Sequence, residues 1–139
     1  MWVLADKAQG VIKSPVAANN VPIGIVYTTE KEYDMNHYGL KTFGRKIAGD
    51  YPRVGILSVG DTITSNCLQF GTGIANAAAI DTALNAGTAV YVVPTAGSSI
   101  PTVTTTAPSS NVPTYGKVVK QYTMPNGEAG VQYQIVHVA

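Results

Sequence analysis

The chain has 139 residues, of which 45% are hydrophobic and 12% are charged, and its formal net charge is +1. This length suits one domain with a core of its own, and so few charged residues exclude a coiled coil or a highly solvated helical bundle. The small basic excess argues against a nucleic-acid partner, and a single cysteine excludes an intramolecular disulfide. Abundant Thr, Tyr and Gly favour strands separated by turns, so the predicted class is mainly β.

The N-terminal segment, residues 1–21, has no sustained hydrophobic period. We interpret it either as an N-terminal arm or as a short edge strand followed by a loop. No basic leader and no apolar run of membrane-spanning length is visible, so we expect neither a targeting segment nor a membrane partner. The apolar residues that could anchor the segment are Trp2, Leu4, Val11 and Ile12.

Residues 22–139 are predicted to form a single β domain. Its first strand is expected at residues 22–28, which are rich in β-branched side chains. An excursion that is both aromatic and basic follows at about residues 33–53, and the next β region runs to residue 59. The excursion holds most of the side chains that we expect to contact a partner: Tyr33, Tyr38, Phe43, Arg45, Lys46 and Arg53.

The middle of the domain contains the only predicted helix. Gly60 and Asp61 first predict a hairpin turn or a tight corner before a short strand. Alanines and apolar residues at helical spacing then predict a helix at about residues 76–86, and Gly87 is suited to end it in a left-handed conformation.

A strand, a Thr-rich segment and a hairpin complete the chain. The continuous apolar run at residues 89–93 predicts a buried strand, and the Thr-rich residues 95–110 are predicted to form either a polar exposed strand or a mobile loop. A hairpin is predicted between residues 117–122 and 131–136, in which Val131, Tyr133 and Ile135 share one face and Gln132 and Gln134 lie on the other. The predicted fold is therefore a small antiparallel β-barrel or β-sandwich with one short helix.

The sequence contains no convincing set of catalytic or ligand-binding residues. Gly71 and Gly73 precede the helix, but a third glycine and a βαβ context for a phosphate-binding turn are missing. Asp61 and Asp81 could act as an acid and base pair, yet a turn and a helix explain them structurally. The two histidines share no metal-binding spacing, and no motif of a nucleophilic hydrolase occurs. We therefore expect no enzyme, no cofactor and no metal ion.

Several loose strand-and-turn patterns resemble the small β-barrel capsid decoration proteins of tailed phages. The pattern is a helix, a Gly-Thr-x-Val-Tyr-Val strand, a Thr-rich strand, a Gly-x-Val segment, a turn and a final Val-x-Val strand. In this chain it falls on residues 86–92, 115–119 and 131–136. Segments similar to structural proteins encoded near phage major capsid genes are residues 22–30, 51–55 and 60–62.

The resemblance implies a cement protein that binds the outer surface of the major capsid shell and stabilises it by bridging neighbouring capsomers. It implies a virion location after synthesis in the host cytoplasm, and self-association as a homotrimer, since decoration sites commonly lie at local threefold positions. We expect the N-terminal apolar residues and the aromatic and basic excursion to make the capsid and protomer contacts. If no groove in the chain receives Trp2 and Leu4, another subunit must bury them.

Two other functions compete with this interpretation. A receptor- or carbohydrate-binding β module is suggested by the three aromatic side chains of the excursion, Tyr33, Tyr38 and Phe43. A small hydrolase with an unrecognised site is the other alternative. Glycan binding by the isolated domain would favour the first, and metal-dependent turnover on a broad substrate panel would favour the second.

Overall fold

The structure is a computed structural model that describes residues 2–6, 11–13, 24–29, 52–125 and 127–138. Within these ranges the chain is mainly β with one short helix, as predicted. The elements in chain order are β1 (Trp2–Asp6), β2 (Val11–Lys13), β3 (Gly24–Thr29), β4 (Pro52–Ile56), β5 (Thr62–Ser65), β6 (Gln69–Phe70), α1 (Ala78–Asn85), β7 (Tyr91–Thr95), β8 (Ser98–Thr104), β9 (Thr114–Thr123) and β10 (Ala129–Val138).

The strands form two sheets. One has four strands in the order β2-β1-β3-β4, and the other has six in the order β5-β10-β9-β7-β8-β6. Among the described pairs, β6 and β8 run parallel and the remaining pairs are antiparallel. Each sheet ends in edge strands, so the described strands do not close into a barrel. Of the two predicted architectures, the sandwich-like one is therefore found.

The helix ends as its sequence predicts. Gly87 has a φ of 77°, and its N–H donates to the carbonyl of Leu84 at 2.9 Å. The N–H of Thr88 donates to the carbonyl of Ala83 at 2.9 Å, which completes a Schellman motif. At the other end, Oδ1 of Asn76 accepts from the N–H of Ala79 at 3.1 Å. The helix is short, and the fully buried Ile80 attaches it to the core.

The chain passes from one sheet to the other at residues 57–61. The N–H of Asp61 donates to the carbonyl of Ser58, and Gly60 between them has a φ of 100°, as a type II turn requires. Oδ2 of Asp61 also accepts from the N–H of Ser58 at 2.8 Å. Since β4 and β5 belong to different sheets, Gly60 and Asp61 form a corner, the second of the two predicted alternatives.

The C-terminal hairpin matches its prediction closely. Val118 lies opposite Tyr133 in the β9–β10 register. Val131, Tyr133 and Ile135 are at most 1% exposed, so the predicted alternation is confirmed and its apolar face lies in the core. The Thr-rich segment before the hairpin contains β8, so it is a strand rather than a loop. The prediction that such a strand would be exposed is wrong, because Val103 and Thr104 are buried.

The N-terminal strand is part of the core. Trp2 is 1% exposed, and its indole Nε1 donates to the hydroxyl of Tyr133 at 3.1 Å. Strand β1 lies between β2 and β3, so residues 2–6 are an interior strand and neither a free arm nor an edge. Trp2 is therefore buried within its own chain, and no other subunit is needed to cover it. Within the described ranges, no helix has the length and apolar character needed to cross a membrane.

Candidate docking surface

The six-stranded sheet has one face buried in the core and one face exposed to solvent, because successive side chains of a strand point to opposite sides. The buried face packs on Trp2, Ile74 and Ile80. The opposite side is termed the outer face. Its register pairs Tyr91 with Lys117 and Lys117 with Gln134 across three neighbouring strands. The outer-face residues of β5, β10, β9 and β7 include Thr62, Thr64, Gln132, Gln134, His137, Tyr115, Lys117, Lys120 and Tyr91.

Three half-buried rings form a continuous cluster on the outer face. The rings of Tyr91 and Tyr115 have centroids 6.3 Å apart at an interplanar angle of 70°. The rings of Tyr115 and His137 are 5.4 Å apart at 87°. Both contacts are edge-to-face, an arrangement that aromatic quadrupoles favour. The cluster is therefore a fixed, uneven aromatic surface and does not form a flat stacking platform.

The outer face carries positive charge and no acidic residue. None of the strands of the six-stranded sheet contains Asp or Glu, whereas Lys117 and Lys120 both lie in β9. The Nζ of Lys117 lies 5.8 Å from the ring centroid of Tyr91, and that of Lys120 lies 5.9 Å from the ring centroid of Tyr122. Such cation–π contacts hold the ammonium groups over the aromatic surface. This face therefore suits a partner that is neutral or acidic.

The acidic side chains near this sheet serve structural purposes at its margins. Oδ2 of Asp61 stabilises the corner. Oε2 of Glu128 accepts from Nδ2 of Asn66 at 2.6 Å, which ties the β9–β10 turn to the segment after β5. Oδ1 of Asp81 in α1 accepts from the N–H of Gln121 at 3.3 Å. Asp61 and Asp81 thus have separate structural partners and do not interact as an acid and base pair.

Backbone groups of the turn at Gly71 and Gly73 are hydrogen-bonded within the protein. The N–H of Gly71 donates to the carbonyl of Val103 at 2.8 Å, and the carbonyl of Thr72 accepts from the N–H of Thr105 at 3.0 Å. A phosphate-binding turn would leave its N–H groups free for the ligand.

Among the described residues, no group of three or more His, Cys, Asp and Glu side chains could hold a metal ion.

Tyr133 differs from the outer-face tyrosines because it belongs to the core. Burial raises the pKa of its phenol to about 12, and the hydrogen bond from Trp2 opposes that increase. Cys67 lies nearby and is half-buried. The phenol of Tyr133 is therefore a neutral structural group and is not available to a partner.

None of the predicted contact residues that the structure describes lies on the outer face. The other predicted contact residues lie outside the described ranges. Trp2 is in the core, and Leu4 is half-buried in β1. The backbone of Arg53 lies in β4 opposite Thr28. In β2, the backbones of Val11 and Ile12 pair with those of Asp6 and Ala5. Five predicted contact residues lie outside the described ranges: Tyr33, Tyr38, Phe43, Arg45 and Lys46.

Sequence reasoning missed the outer-face cluster, although one signal was present. The alternation in the C-terminal hairpin already placed Gln132 and Gln134 on the face opposite Val131, Tyr133 and Ile135. Extending the same alternation to β9 would place Tyr115 and Lys117 on that side. Their contact with Tyr91 depends on strand order, because β7 pairs with β9 in the sheet. Strand order is a tertiary property that a periodic pattern does not reveal.

Comparison of the whole chain with protein-family models, curated proteins and solved structures finds no match.

Proposed function

We propose that this chain is a capsid decoration protein of a virus, which binds the outer surface of the major capsid shell and stabilises it by bridging neighbouring capsomers. The observation that carries the proposal is the outer face, a broad sheet surface with tyrosines, amides and lysines and without acidic residues. Protein interfaces are enriched in Tyr and contain few acidic residues. The proposed role is therefore one of binding.

The location of the family-like segments supports the same proposal. Residues 86–92 lead into β7, residues 115–119 lie in β9, and residues 131–136 lie in β10. These strands are consecutive neighbours in the order β10-β9-β7. The resemblance to decoration proteins thus falls on one continuous structural unit, which is the unit that bears the outer face.

The outer face would contribute to attachment in two ways. Its edge-to-face rings are already ordered, so docking them costs little conformational entropy, and their contact area would supply the affinity. Lys117 and Lys120 would favour an acidic region of the shell and raise the association rate at low salt. Bridging requires that the same molecule contact neighbouring capsomers, which a broad sheet surface makes geometrically feasible.

Cosedimentation with capsid shells tests the proposal. Shells assembled from the major capsid protein of the same genome are mixed with the wild-type chain and with Tyr115→Ser, and occupancy is measured by sedimentation and electron cryomicroscopy. We expect the wild type to bind and Tyr115→Ser to bind about tenfold more weakly, as loss of a central aromatic contact predicts. Absence of wild-type binding contradicts the proposal.

A matched control separates loss of contact from loss of folding. Phe70 is an exposed aromatic residue in the edge strand β6, away from the outer face, and 40% of its surface is accessible. Phe70→Ser should leave shell occupancy unchanged. If Phe70→Ser and Tyr115→Ser reduce occupancy equally, the outer face is not the attachment surface.

A carbohydrate-binding module remains the second candidate, because the outer face presents aromatic rings beside amide side chains. Sugar rings stack on flat aromatic faces, however, and the edge-to-face angles of 70° and 87° do not provide such a platform. Glycan-array binding by the isolated chain that is abolished in Tyr115→Ser would favour this candidate over the capsid protein.

A further inference from the structure

Most of the sheet edges in the described residues carry features that prevent pairing with another strand. Proline, lysine and very short length are the usual means of such protection. Strand β2 has three residues and contains Lys13. Strand β4 begins with Pro52 and contains Arg53, and β6 has two residues. Strand β5 is different, since it has four residues, Thr-Ile-Thr-Ser, with no proline and no charge.

The corner before β5 determines which of its backbone groups face outward. The N–H of Gly60 donates to the carbonyl of Ile135, and the N–H of Ile135 donates to the carbonyl of Asp61, both at 2.8 Å. With Gly60 in a left-handed conformation, this is the hydrogen-bond pattern of a G1 bulge. The carbonyl of Asp61 therefore points toward β10.

Backbone groups alternate in direction along a strand, so the direction at Asp61 fixes the rest of β5. Ile63 and Ser65 direct their N–H and carbonyl groups to β10, where they lie opposite Tyr133 and Val131. Thr62 and Thr64 direct theirs to the other side. In the described part of the chain, no strand pairs with that side.

Hydrogen bonds hold β5 in place at both ends. At its start, the corner is joined to Ile135 through Gly60 and Asp61. Beyond its end, the amide of Asn66 is bound to the carboxylate of Glu128 at 2.6 Å. The edge is thus ordered before any partner arrives, which lowers the entropic cost of adding a strand.

We propose that this edge of β5 pairs antiparallel with β5 of a second copy of the same chain, about a twofold axis at Ile63. The sequence Thr62-Ile63-Thr64 reads the same in both directions, so the axis places Thr62 of each copy opposite Thr64 of the other. The outward N–H and carbonyl groups of these residues then meet as hydrogen-bonded pairs. This inference does not depend on the proposed function.

The side chains around the axis are compatible with such pairing. Ile63 would face its own copy as a non-hydrogen-bonded pair, the closer of the two antiparallel arrangements. It packs at the margin of the core, so the added strand would extend that apolar surface. Threonines opposite each other on the outer face are a favourable cross-strand pair.

Exposed apolar side chains lie at the corner and at the residue that ends β4 just before it. Ile56 and Val59 are 69% and 64% exposed, the highest values among the exposed large hydrophobic residues of the described chain. A partner at β5 would approach the corner that contains Val59. An isologous contact of this kind is complete with two copies and forms a dimer, in contrast to the homotrimer expected from the family resemblance.

Sedimentation velocity of the full chain tests the pairing from about 10 μM to about 1 mM, where small interfaces associate. Thr64→Pro removes an outward N–H without removing a hydrogen bond to β10, and proline is tolerated at such edge positions. The matched control Thr64→Val keeps the N–H. We expect dimers for the wild type and Thr64→Val, and monomers for Thr64→Pro with a melting temperature within about 3 °C of the wild type.

Other outcomes would overturn the proposal. These are a wild type that stays monomeric throughout this range, a trimer, or a Thr64→Pro variant that dimerises as the wild type does. If Thr64→Pro does not fold, hydrogen exchange of the wild type decides. The amides of Thr62 and Thr64 should exchange at least about tenfold more slowly at the high concentration, as expected for groups bonded only in the dimer. Equal exchange at both concentrations overturns the pairing.

Discussion

Two aromatic groups in the described part of the chain use the same kinds of side chain in opposite ways. In the core, Trp2 and Tyr133 lie 6.3 Å apart, each is 1% exposed, and the indole donates to the phenol. On the outer face, Tyr91, Tyr115 and His137 contact one another edge-to-face and stay half-exposed. The first group connects the two sheets, and the second group leaves a surface that a partner can cover.

The difference shows that burial, more than residue type, decides what an aromatic residue contributes. The buried pair satisfies its polar atoms internally, so its whole contribution goes to folding. The outer rings keep contact with solvent and lose only part of their hydration in the fold, so the remaining area is available for binding. Changes in the two groups should therefore separate stability from binding.

Replacing Trp2 should produce the largest loss of stability. Trp2→Ala removes the largest fully buried side chain and should lower the free energy of unfolding by about 3–5 kcal/mol. The conservative variant Trp2→Phe keeps an aromatic ring at this position. Trp2 is the only tryptophan, so neither variant has tryptophan fluorescence. Unfolding of both variants in denaturant is therefore followed by circular dichroism. A loss below about 1 kcal/mol for Trp2→Ala would mean that β1 is not part of the folded core.

Alkaline pH should weaken the core pair next. The unfolded phenol of Tyr133 ionises near pH 10, whereas the folded one retains its proton to about pH 12. The folded state therefore binds more protons in this window, and stability falls as the pH rises through it, by up to about 3 kcal/mol. The loss is absent below pH 10.

Tyr133→Phe sharpens this comparison. The variant should be less stable at neutral pH by about 1–3 kcal/mol, because the buried indole N–H of Trp2 loses its acceptor. It should also lose the part of the alkaline destabilisation that comes from this phenol. Denaturation curves at pH 8, 10 and 12 for Tyr133→Phe and for Tyr115→Phe make the measurement. If both variants lose the same stability between pH 8 and pH 12, the assignment of the alkaline loss to the phenol of Tyr133 is contradicted.

The smallest effect on folding is expected on the outer face. Tyr115→Ala breaks two edge-to-face contacts of half-exposed rings and should cost about 1 kcal/mol or less. Thermal unfolding measures this loss. A destabilisation as large as that of Trp2→Ala would show that the outer rings belong to the core.

Local patterns predicted those parts of the fold that local physics determines. Gly87 ends the helix because its left-handed conformation suits glycine, and the alternation through Tyr133 follows from strand geometry. The corner at Gly60 was one of two predicted alternatives. Choosing between them required knowing that β4 and β5 enter different sheets, and no local pattern contains that information.

The candidate site was less predictable for the same reason. Trp2 was predicted to contact the capsid or another protomer because its segment has no hydrophobic period. Instead it packs in the core of this chain, where its hydrogen-bond partner Tyr133 lies more than a hundred residues away in sequence. Tyr91 and Lys117 become neighbours only through the β7–β9 pairing. Periodicity identified the outward side of the hairpin, and strand order completed the cluster.

The order of strands in the larger sheet also has a consequence for synthesis on the ribosome. Strand β5 ends at Ser65, but its neighbour β10 begins at Ala129. During translation β5 therefore has no partner among the described strands until β10 has been synthesised. Its Thr-rich composition, with Ile63 as its one large apolar residue, limits the aggregation of such a waiting strand. The nascent chain consequently completes its larger sheet in one late step, when β10 inserts between β5 and β9.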